Sequence, residues 1–200
     1  LDKTMLEPLL LRARAIIDQA LAGTAEPRLA WLFTENRPAL RSLARLVFMY
    51  QEQGRRHEAL ALMERILALN PNDNHGFRSL VINDLLHKGE DAKALALADQ
   101  YPDDMHADIA YGRVLALYRL GRMEEAEAAL CQAVEFLPKV VRHLTADRIR
   151  KPRIDPTGIK LGGDDQAWLY RAAMRDVWQA TPDILPWLEK SAKRCKRKGG

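Results

Sequence analysis

The sequence predicts an all-α fold, an α-solenoid in which antiparallel helix hairpins stack in order along the chain and helical caps close both ends. Two features of the composition favour helices over strands: only 6% of the residues are aromatic, and runs of β-branched residues are few. A third observation points to a repeat, because three similar segments carry glycines at matching points, Gly54, Gly89 and Gly121, which are 35 and 32 residues apart. Internal periods of roughly 20 to 50 residues are typical of stacked helical repeats.

Each of these glycines is predicted to end the first helix of a hairpin, where the backbone needs the left-handed conformation that glycine adopts without strain. An alanine stands five residues after each glycine, and its small side chain lets the second helix approach the first. These alanines are Ala59, Ala94 and Ala126. A proline ends the second helix, Pro71 in the first hairpin and Pro138 in the third. In the middle hairpin Pro102 interrupts the second helix early, which predicts a distorted or looser hairpin.

The segments around the first and third glycines resemble the tetratricopeptide repeat. In the first segment the pattern runs from Leu43 through Tyr50 to Pro71, and residues 107–138 follow the same order. The resemblance implies three repeats, which cover residues 38–73, 74–106 and 107–138. It also implies a concave groove, lined mainly by the first helices, that holds an extended or helical peptide of a partner protein.

Helical caps are predicted on both sides of the repeats. Residues 1–37 form the N-terminal cap, with a long amphipathic helix up to Leu21 and a shorter helix over residues 27–36. Residues 139–189 form the C-terminal cap, in which a Pro/Gly loop precedes two helices, the last running to about Lys193. This block is similar to bacterial tetratricopeptide-repeat proteins of unknown function in the following residues: Gly163, Asp164, Ala167, Tyr170, Trp178, Thr181 and Leu185.

The cysteines and the hydropathy pattern indicate a compartment. Cys131 and Cys195 lie far apart in the sequence, with no metal-binding or redox spacing around them. This usage predicts no disulfide and a reducing cytoplasm. No apolar segment reaches the roughly 18 residues that a membrane-spanning helix needs, so we expect no membrane partner.

The sequence contains none of four common catalytic or nucleotide-binding motifs. HExxH, GxxxxGK[ST], GxGxxG and GxSxG are all absent, and the five histidines are scattered without the spacing of metal ligands. Asp164 and Asp165 follow two glycines, but a calcium loop needs further oxygen ligands at alternating positions. We therefore expect no enzyme activity, no cofactor and no metal site.

The leading hypothesis is a non-catalytic cytoplasmic adaptor of bacterial type that binds a protein or peptide in the groove; the oligomeric state stays open. The repeat register places polar, basic and aromatic side chains on the groove side of the first helices, where they can bond a peptide backbone or anchor its side chains. These candidates are Arg41, Arg45, Phe48, Gln51, Ser79, Asn83, Tyr111 and Tyr118. For Phe48 the alternative is packing against the next helix.

The alternative hypothesis is a nucleic-acid-associated accessory protein that uses the basic tail at residues 190–200. The net charge of +4 belongs to this end of the chain, because residues 189–200 contain six basic residues and one acidic residue. Basic side chains bind phosphates without reading sequence. The candidates are Lys193, Arg194, Lys196, Arg197 and Lys198. A solvated, mobile terminus would explain the same charges.

Overall fold

The computed structural model describes the backbone of residues 3–198 and the side chains of residues 5–196. Over the described backbone there are ten α-helices, one 3-10 turn and no β-strand, which confirms the all-α prediction. The chain forms two compact units, Leu1–Val81 and Ile82–Gly200, called here the N-terminal and C-terminal units. None of the described helices combines the length and the apolar character that a membrane crossing requires.

The N-terminal unit is a layer of helices around α2. Its elements are α1 (Lys3–Leu21), a 3-10 turn (Thr34–Asn36), α2 (Arg37–Glu52), α3 (Arg56–Leu69) and the start of α4 (Phe77–His87). Helix α2 packs against both α1 and α3. Its buried face follows the helical period, with Leu40, Leu43, Val47 and Tyr50 in the interior.

The predicted glycine caps are confirmed. Gly54 has a φ of 72°; its N–H donates to Gln51 O at 3.0 Å, and the N–H of Arg55 donates to Tyr50 O at 2.8 Å. These two bonds satisfy carbonyls that the end of α2 would otherwise leave unpaired. Gly89 and Gly121 have φ values of 72° and 73° and make the equivalent pair of bonds at the ends of their helices.

The second capping helix, predicted over residues 27–36, is wrong except for the short turn at its end. Residues before Thr34 bind the C-terminal end of α3 instead: the N–H of Leu29 donates to Leu69 O at 2.7 Å, and Arg28 Nη1 donates to Ala68 O at 2.7 Å. The N–H of Trp31 donates to Asn70 Oδ1 at 3.3 Å. The segment therefore caps α3, and its own backbone bonds are those of short turns, such as that from the N–H of Phe33 to Ala30 O at 3.2 Å.

The C-terminal unit holds the remaining helices. They are the end of α4, α5 (Asp91–Ala98), α6 (Ala107–Arg119), α7 (Met123–Phe136), α8 (Lys139–Thr145), α9 (Asp164–Ala180) and α10 (Ile184–Lys198). The predicted distortion of the middle hairpin is confirmed, because α5 has only 8 residues, whereas α3 and α7 have 14 each. Helix α6 packs against α5, α7 and α9.

The core of the C-terminal unit combines large aromatic side chains with internal hydrogen bonds. Tyr111, Tyr170 and Trp178 are all buried. The ring of Tyr111 lies 6.1 Å from that of Tyr170 and 6.5 Å from that of Trp178. Tyr111 donates its hydroxyl hydrogen to Leu137 O at 2.9 Å, and Trp178 Nε1 donates to the hydroxyl oxygen of Tyr170 at 3.0 Å. Each polar tip is thus paired, as burial in an apolar core requires.

The last two helices correct two predictions. Helix α10 continues to Lys198 rather than ending near Lys193, so its basic residues lie on a helix. Cys131 of α7 and Cys195 of α10 form a disulfide with a Cα–Cα separation of 5.1 Å, contrary to the expectation of no disulfide. Their separation of 64 residues in the sequence gave no sign of this pairing, which exists because α7 and α10 pack together.

Candidate nucleic-acid interface

Helix α10 holds the basic residues of the C-terminus on one fixed surface. Its inner face repeats with the helical period and consists of Ile184, Leu188, Ser191, Ala192 and Cys195, all buried. This face packs against α7, α8 and α9. Because a helix turns about 100° per residue, the residues on the opposite side, such as Lys190 and Lys193, face away from the unit and are exposed. The outer face of α10 is therefore held in place by the core beneath it.

Three cations lie together on the outer face of α10. Lys190, Lys193 and Arg194 stand at i, i+3 and i+4, positions that are neighbours on a helix surface. All three are exposed, and with Pro186 and Glu189 they line a shallow depression. We call Lys190, Lys193 and Arg194 the basic face. Two acidic side chains, Glu189 and Glu127, border it.

Arg194 is held by two hydrogen bonds. Its Nη2 donates to Glu127 Oε2 of α7 at 3.0 Å and to Ser191 Oγ at 2.9 Å. Because both ionised side chains of the pair are partly exposed, the ion pair contributes little to stability. It does orient the guanidinium at the junction of α10 and α7, where its remaining N–H groups can donate to a phosphate.

The basic residues predicted from the sequence are distributed over more than one face. Lys193 and Arg194 belong to the basic face, whereas Lys196 is exposed on another side of α10. The side chains of Arg197 and Lys198 lie outside the described residues. Lys190 was missing from the predicted nucleic-acid residues. Its spacing to Lys193 and Arg194 places the three side chains on one face of a helix, and α10 extends far enough to include all three.

The groove residues predicted in the N-terminal unit share one exposed side of α2. Arg41, Arg45, Phe48 and Gln51 are all exposed there. The Arg41 guanidinium lies 5.4 Å from the ring centroid of Trp31, Arg45 Nη1 is 3.5 Å from Glu52 Oε1, and the ring of Phe48 is 5.8 Å from that of Phe77. Ser79, on α4, is half-buried. Phe48 thus touches one neighbouring ring but keeps 42% of its surface exposed.

Asn83, the first predicted groove residue of the C-terminal unit, is engaged within its own unit. Its Nδ2 donates to Asp108 Oδ1 at 2.6 Å, and its Oδ1 is buried without a hydrogen-bond partner. Burial raises the pKa of the Asp108 carboxyl, and the bond from Asn83 partly opposes that rise. The amide of Asn83 therefore serves the contact between α4 and α6.

The two tyrosines predicted as groove contacts are covered by the C-terminal helices. Tyr111 is fully buried, so its placement on an exposed surface was wrong. Tyr118 lies with its ring 4.9 Å from that of Trp187 and donates its hydroxyl hydrogen to Pro182 O at 3.2 Å. Loss of solvent raises the pKa of the Tyr118 hydroxyl, with a smaller contribution from Asp183. The reason for both contacts is that α9 and α10 fold back onto α6 and α7.

Metal ligation finds no support in the part of the chain that the structure describes, where no three His, Cys, Asp or Glu side chains are grouped so as to hold an ion. Cys131 and Cys195 are joined to each other. The three cations of the basic face suit anionic groups.

Comparison with protein families gives a match over residues 18–198 to the family described as "Transcriptional repressor TCF25". No curated protein and no solved structure matches the chain. The match overturns the assignment to the tetratricopeptide-repeat family and, with it, the bacterial type inferred from that resemblance. It gives no support to the cytoplasmic location expected from the cysteines. The recurring glycine and alanine positions reflect the geometry of a capped helix hairpin, which a different family uses here.

Proposed function

This chain belongs to the Tcf25 family, and from that premise we propose that it is a non-catalytic, nucleic-acid-associated regulator of transcription. The basic face of α10 contacts phosphate groups and holds the protein on nucleic acid. The family description supports the transcriptional role, and the clustering of Lys190, Lys193 and Arg194 on one exposed helical face carries the assignment of the interface. A nuclear location is the part of this proposal that follows from a role in transcription.

A fixed basic face suits phosphates better than a mobile basic tail does. The helix positions its cations before binding, so less side-chain and backbone entropy is lost on association. Each neutralised phosphate releases condensed counterions, and this release makes affinity depend on salt rather than on sequence. No aromatic residue interrupts the basic face, so we expect phosphate contact without recognition of individual bases.

The test is the salt dependence of binding to a fluorescein-labelled DNA duplex of about 20 base pairs, measured by fluorescence anisotropy. If the three cations each neutralise one phosphate, they contribute about −2.7 to the slope of log affinity against log salt, since each contact contributes about −0.9. The variant Lys190→Gln, Lys193→Gln, Arg194→Gln should lose that part of the slope and about one to two orders of magnitude in affinity at low salt.

A matched variant separates this interface from net charge. Arg12→Gln, Arg56→Gln, Lys160→Gln removes the same number of charges from exposed positions outside α10. It should bind nearly as well as the parent protein. Equal losses in the two variants would reject the basic face as the interface, and binding that does not change with salt would reject phosphate contact altogether. A single-stranded RNA of the same length, run in parallel, shows which nucleic acid is preferred.

A second candidate function is the binding of a protein segment by the exposed side of α2. The observation that favours it is the combination of Phe48, with 42% of its surface exposed, and the neighbouring cations Arg41 and Arg45. An exposed aromatic ring beside arginines is a common composition for the centre of a protein interface. A partner with an apolar side chain and an acidic neighbour would suit this surface.

The two candidates are separated by comparing captured proteins after nuclease treatment. We expect Phe48→Ala combined with Arg41→Ala to lose a partner that the triple glutamine variant of α10 keeps. Arg12→Ala combined with Leu11→Ala, which alters an exposed arginine and an exposed leucine of α1, is the control. Retention of every captured protein by the α2 variant would reject this candidate.

The solenoid arrangement predicted from the sequence is kept as part of the proposal. Its support is the glycine cap that recurs with the same two hydrogen bonds after α2, α4 and α6.

A further inference from the structure

The shortened helix α5 leaves a cavity in the C-terminal unit. Helix α5 ends at Ala98, and the following loop departs at Pro102, a residue that cannot continue a helix. A cavity of about 310 Å³ opens at this point, bounded by the loop, α6 and α7. Pockets that accept ligands begin at about this size.

The floor of the cavity is apolar and its small residues leave the space open. Ile109 and Ala110 of α6 and Ala129 and Ala133 of α7 line it. Alanine side chains are too short to fill the volume that a longer α5 would have occupied. Phe136 and Met105, 55% and 40% exposed, also line it. Large apolar side chains left in water beside an apolar cavity gain free energy when a ligand covers them.

Acidic residues dominate the charge around this cavity. Asp103 and Asp104 of the loop line it; Asp103 is exposed, whereas Asp104 Oδ1 accepts from the N–H of His106 at 2.8 Å and lies 2.7 Å from His106 Nδ1. The one cation among its lining residues, Arg113, is paired with Asp99 at 3.0 Å. Positive charge at the edge of a ligand would complement Asp103.

We propose that this cavity is a binding site for a basic amphipathic peptide segment of a partner protein. One or two apolar side chains of a short helical turn enter the space beside α5, and a lysine or arginine residue of the same segment lies beside Asp103. This site is independent of the basic face, because its charge has the opposite sign and its ligand is a peptide.

The probes are two synthetic helical peptides of about 14 residues that differ only in charge. Both carry leucines at i, i+3, i+4 and i+7; one has lysines on its remaining face and the other glutamates. Binding to the whole chain is measured by fluorescence anisotropy and located with methyl-labelled Met105 by nuclear magnetic resonance. The lysine peptide should bind at least tenfold more tightly than the glutamate peptide and should shift the Met105 signal.

Two variants test the apolar part of the site. Ala133→Leu fills the cavity from α7 and should weaken binding of the lysine peptide at least tenfold, whereas Ala128→Leu, on the exposed side of the same helix, should leave it unchanged. Ala110→Leu fills the cavity from α6 and replaces Ala133→Leu if that variant fails to fold. Equal binding by the filled and the control variants overturns the proposal.

The charge of the site is tested separately. Asp103→Lys should weaken the lysine peptide and strengthen the glutamate peptide, each about threefold or more. Opposite or absent changes overturn the basic-peptide assignment. So does a result in which a small apolar molecule, benzene, shifts the Met105 signal while neither peptide binds, since the cavity would then accept only small ligands.

Discussion

The hairpins α2–α3 and α6–α7 have the same local design but differ in what covers their first helices. Both first helices end in the same glycine cap, and both second helices have 14 residues. In the N-terminal unit the outer side of α2 is open, and Phe48 is exposed. In the C-terminal unit α9 packs on α6, and Leu115, at the register position of Phe48, is fully buried. A repeat pattern therefore specifies which residues share a face, but not whether another helix covers that face.

Because of this difference, the partner interface of the C-terminal unit is not expected on α6. The groove side of α6, predicted to hold a partner peptide, is occupied by the chain's own α9. We propose the basic face of α10 and the cavity beside α5 as partner surfaces of this unit instead. In the N-terminal unit the corresponding side of α2 still carries exposed arginines and an aromatic ring.

The largest contrast is expected between Leu115→Ala and Phe48→Ala. Leu115 is fully buried, so its truncation leaves a cavity and should lower the free energy of unfolding by about 3 to 4 kcal/mol. Phe48 already contacts water over much of its surface, so Phe48→Ala should lower the free energy of unfolding by less than about 1 kcal/mol. Urea unfolding followed by circular dichroism measures both. Equal costs would show that α9 does not protect α6 from solvent.

The next contrast concerns the disulfide, since both cysteines belong to the C-terminal unit. Reduction removes a cross-link that closes a long loop and should cost about 3 kcal/mol. Hydrogen exchange before and after reduction should show faster exchange in α7 and α10, with α2 and α3 unchanged. Cys131→Ser combined with Cys195→Ser is the control, because a reductant should then have no further effect. Unchanged exchange in α10 would show that packing alone holds the basic face.

A smaller contrast is expected between two arginines. Arg119 of α6 donates to Leu86 O and Val177 O at 2.9 and 3.1 Å and to Thr181 Oγ1 at 2.9 Å. Arg119→Met removes these three bonds and the 3.3 Å ion pair with Asp91 from a largely buried place, and should cost about 2 kcal/mol. Arg45→Met loses one exposed ion pair and should cost less than about 0.5 kcal/mol. A cost for Arg119→Met as small as that of Arg45→Met, again from urea unfolding, would contradict the role of Arg119 as the bond donor between α4, α6 and α9.

The same comparison shows how far the sequence could lead. The glycine caps and the short α5 were predictable, because they follow from local backbone chemistry at Gly54, Gly121 and Pro102. The burial of Tyr111 could not be predicted, because it depends on α9, which follows more than 40 residues later. The pairing of Cys131 with Cys195 was hidden for the same reason, since sequence spacing does not show which helices meet.

The candidate site was only partly visible in the sequence. The excess of basic residues near the C-terminus was evident from composition, but their arrangement on one face required knowing that α10 continues to Lys198. The inner face of α10, from Ile184 to Cys195, fixes that arrangement by burial. The cavity beside α5 was indicated only by the early proline, because an empty volume is defined by residues of three separate elements.

The smallest expected effect is one that the two units share. Gly54→Ala and Gly121→Ala each force a side chain into the left-handed backbone region, at φ values of 72° and 73°. A Cβ at either position meets nothing within 4 Å, so the cost comes from the backbone alone and should be about 1 kcal/mol in both variants. Gly158→Ala, where the backbone is not left-handed and space is also free, should be nearly neutral. Urea unfolding of the three variants measures these changes in the free energy of unfolding. Costs for Gly54→Ala and Gly121→Ala that differ by more than about 0.5 kcal/mol would mean that the surrounding helices strain one cap, and that the two hairpins are not locally equivalent.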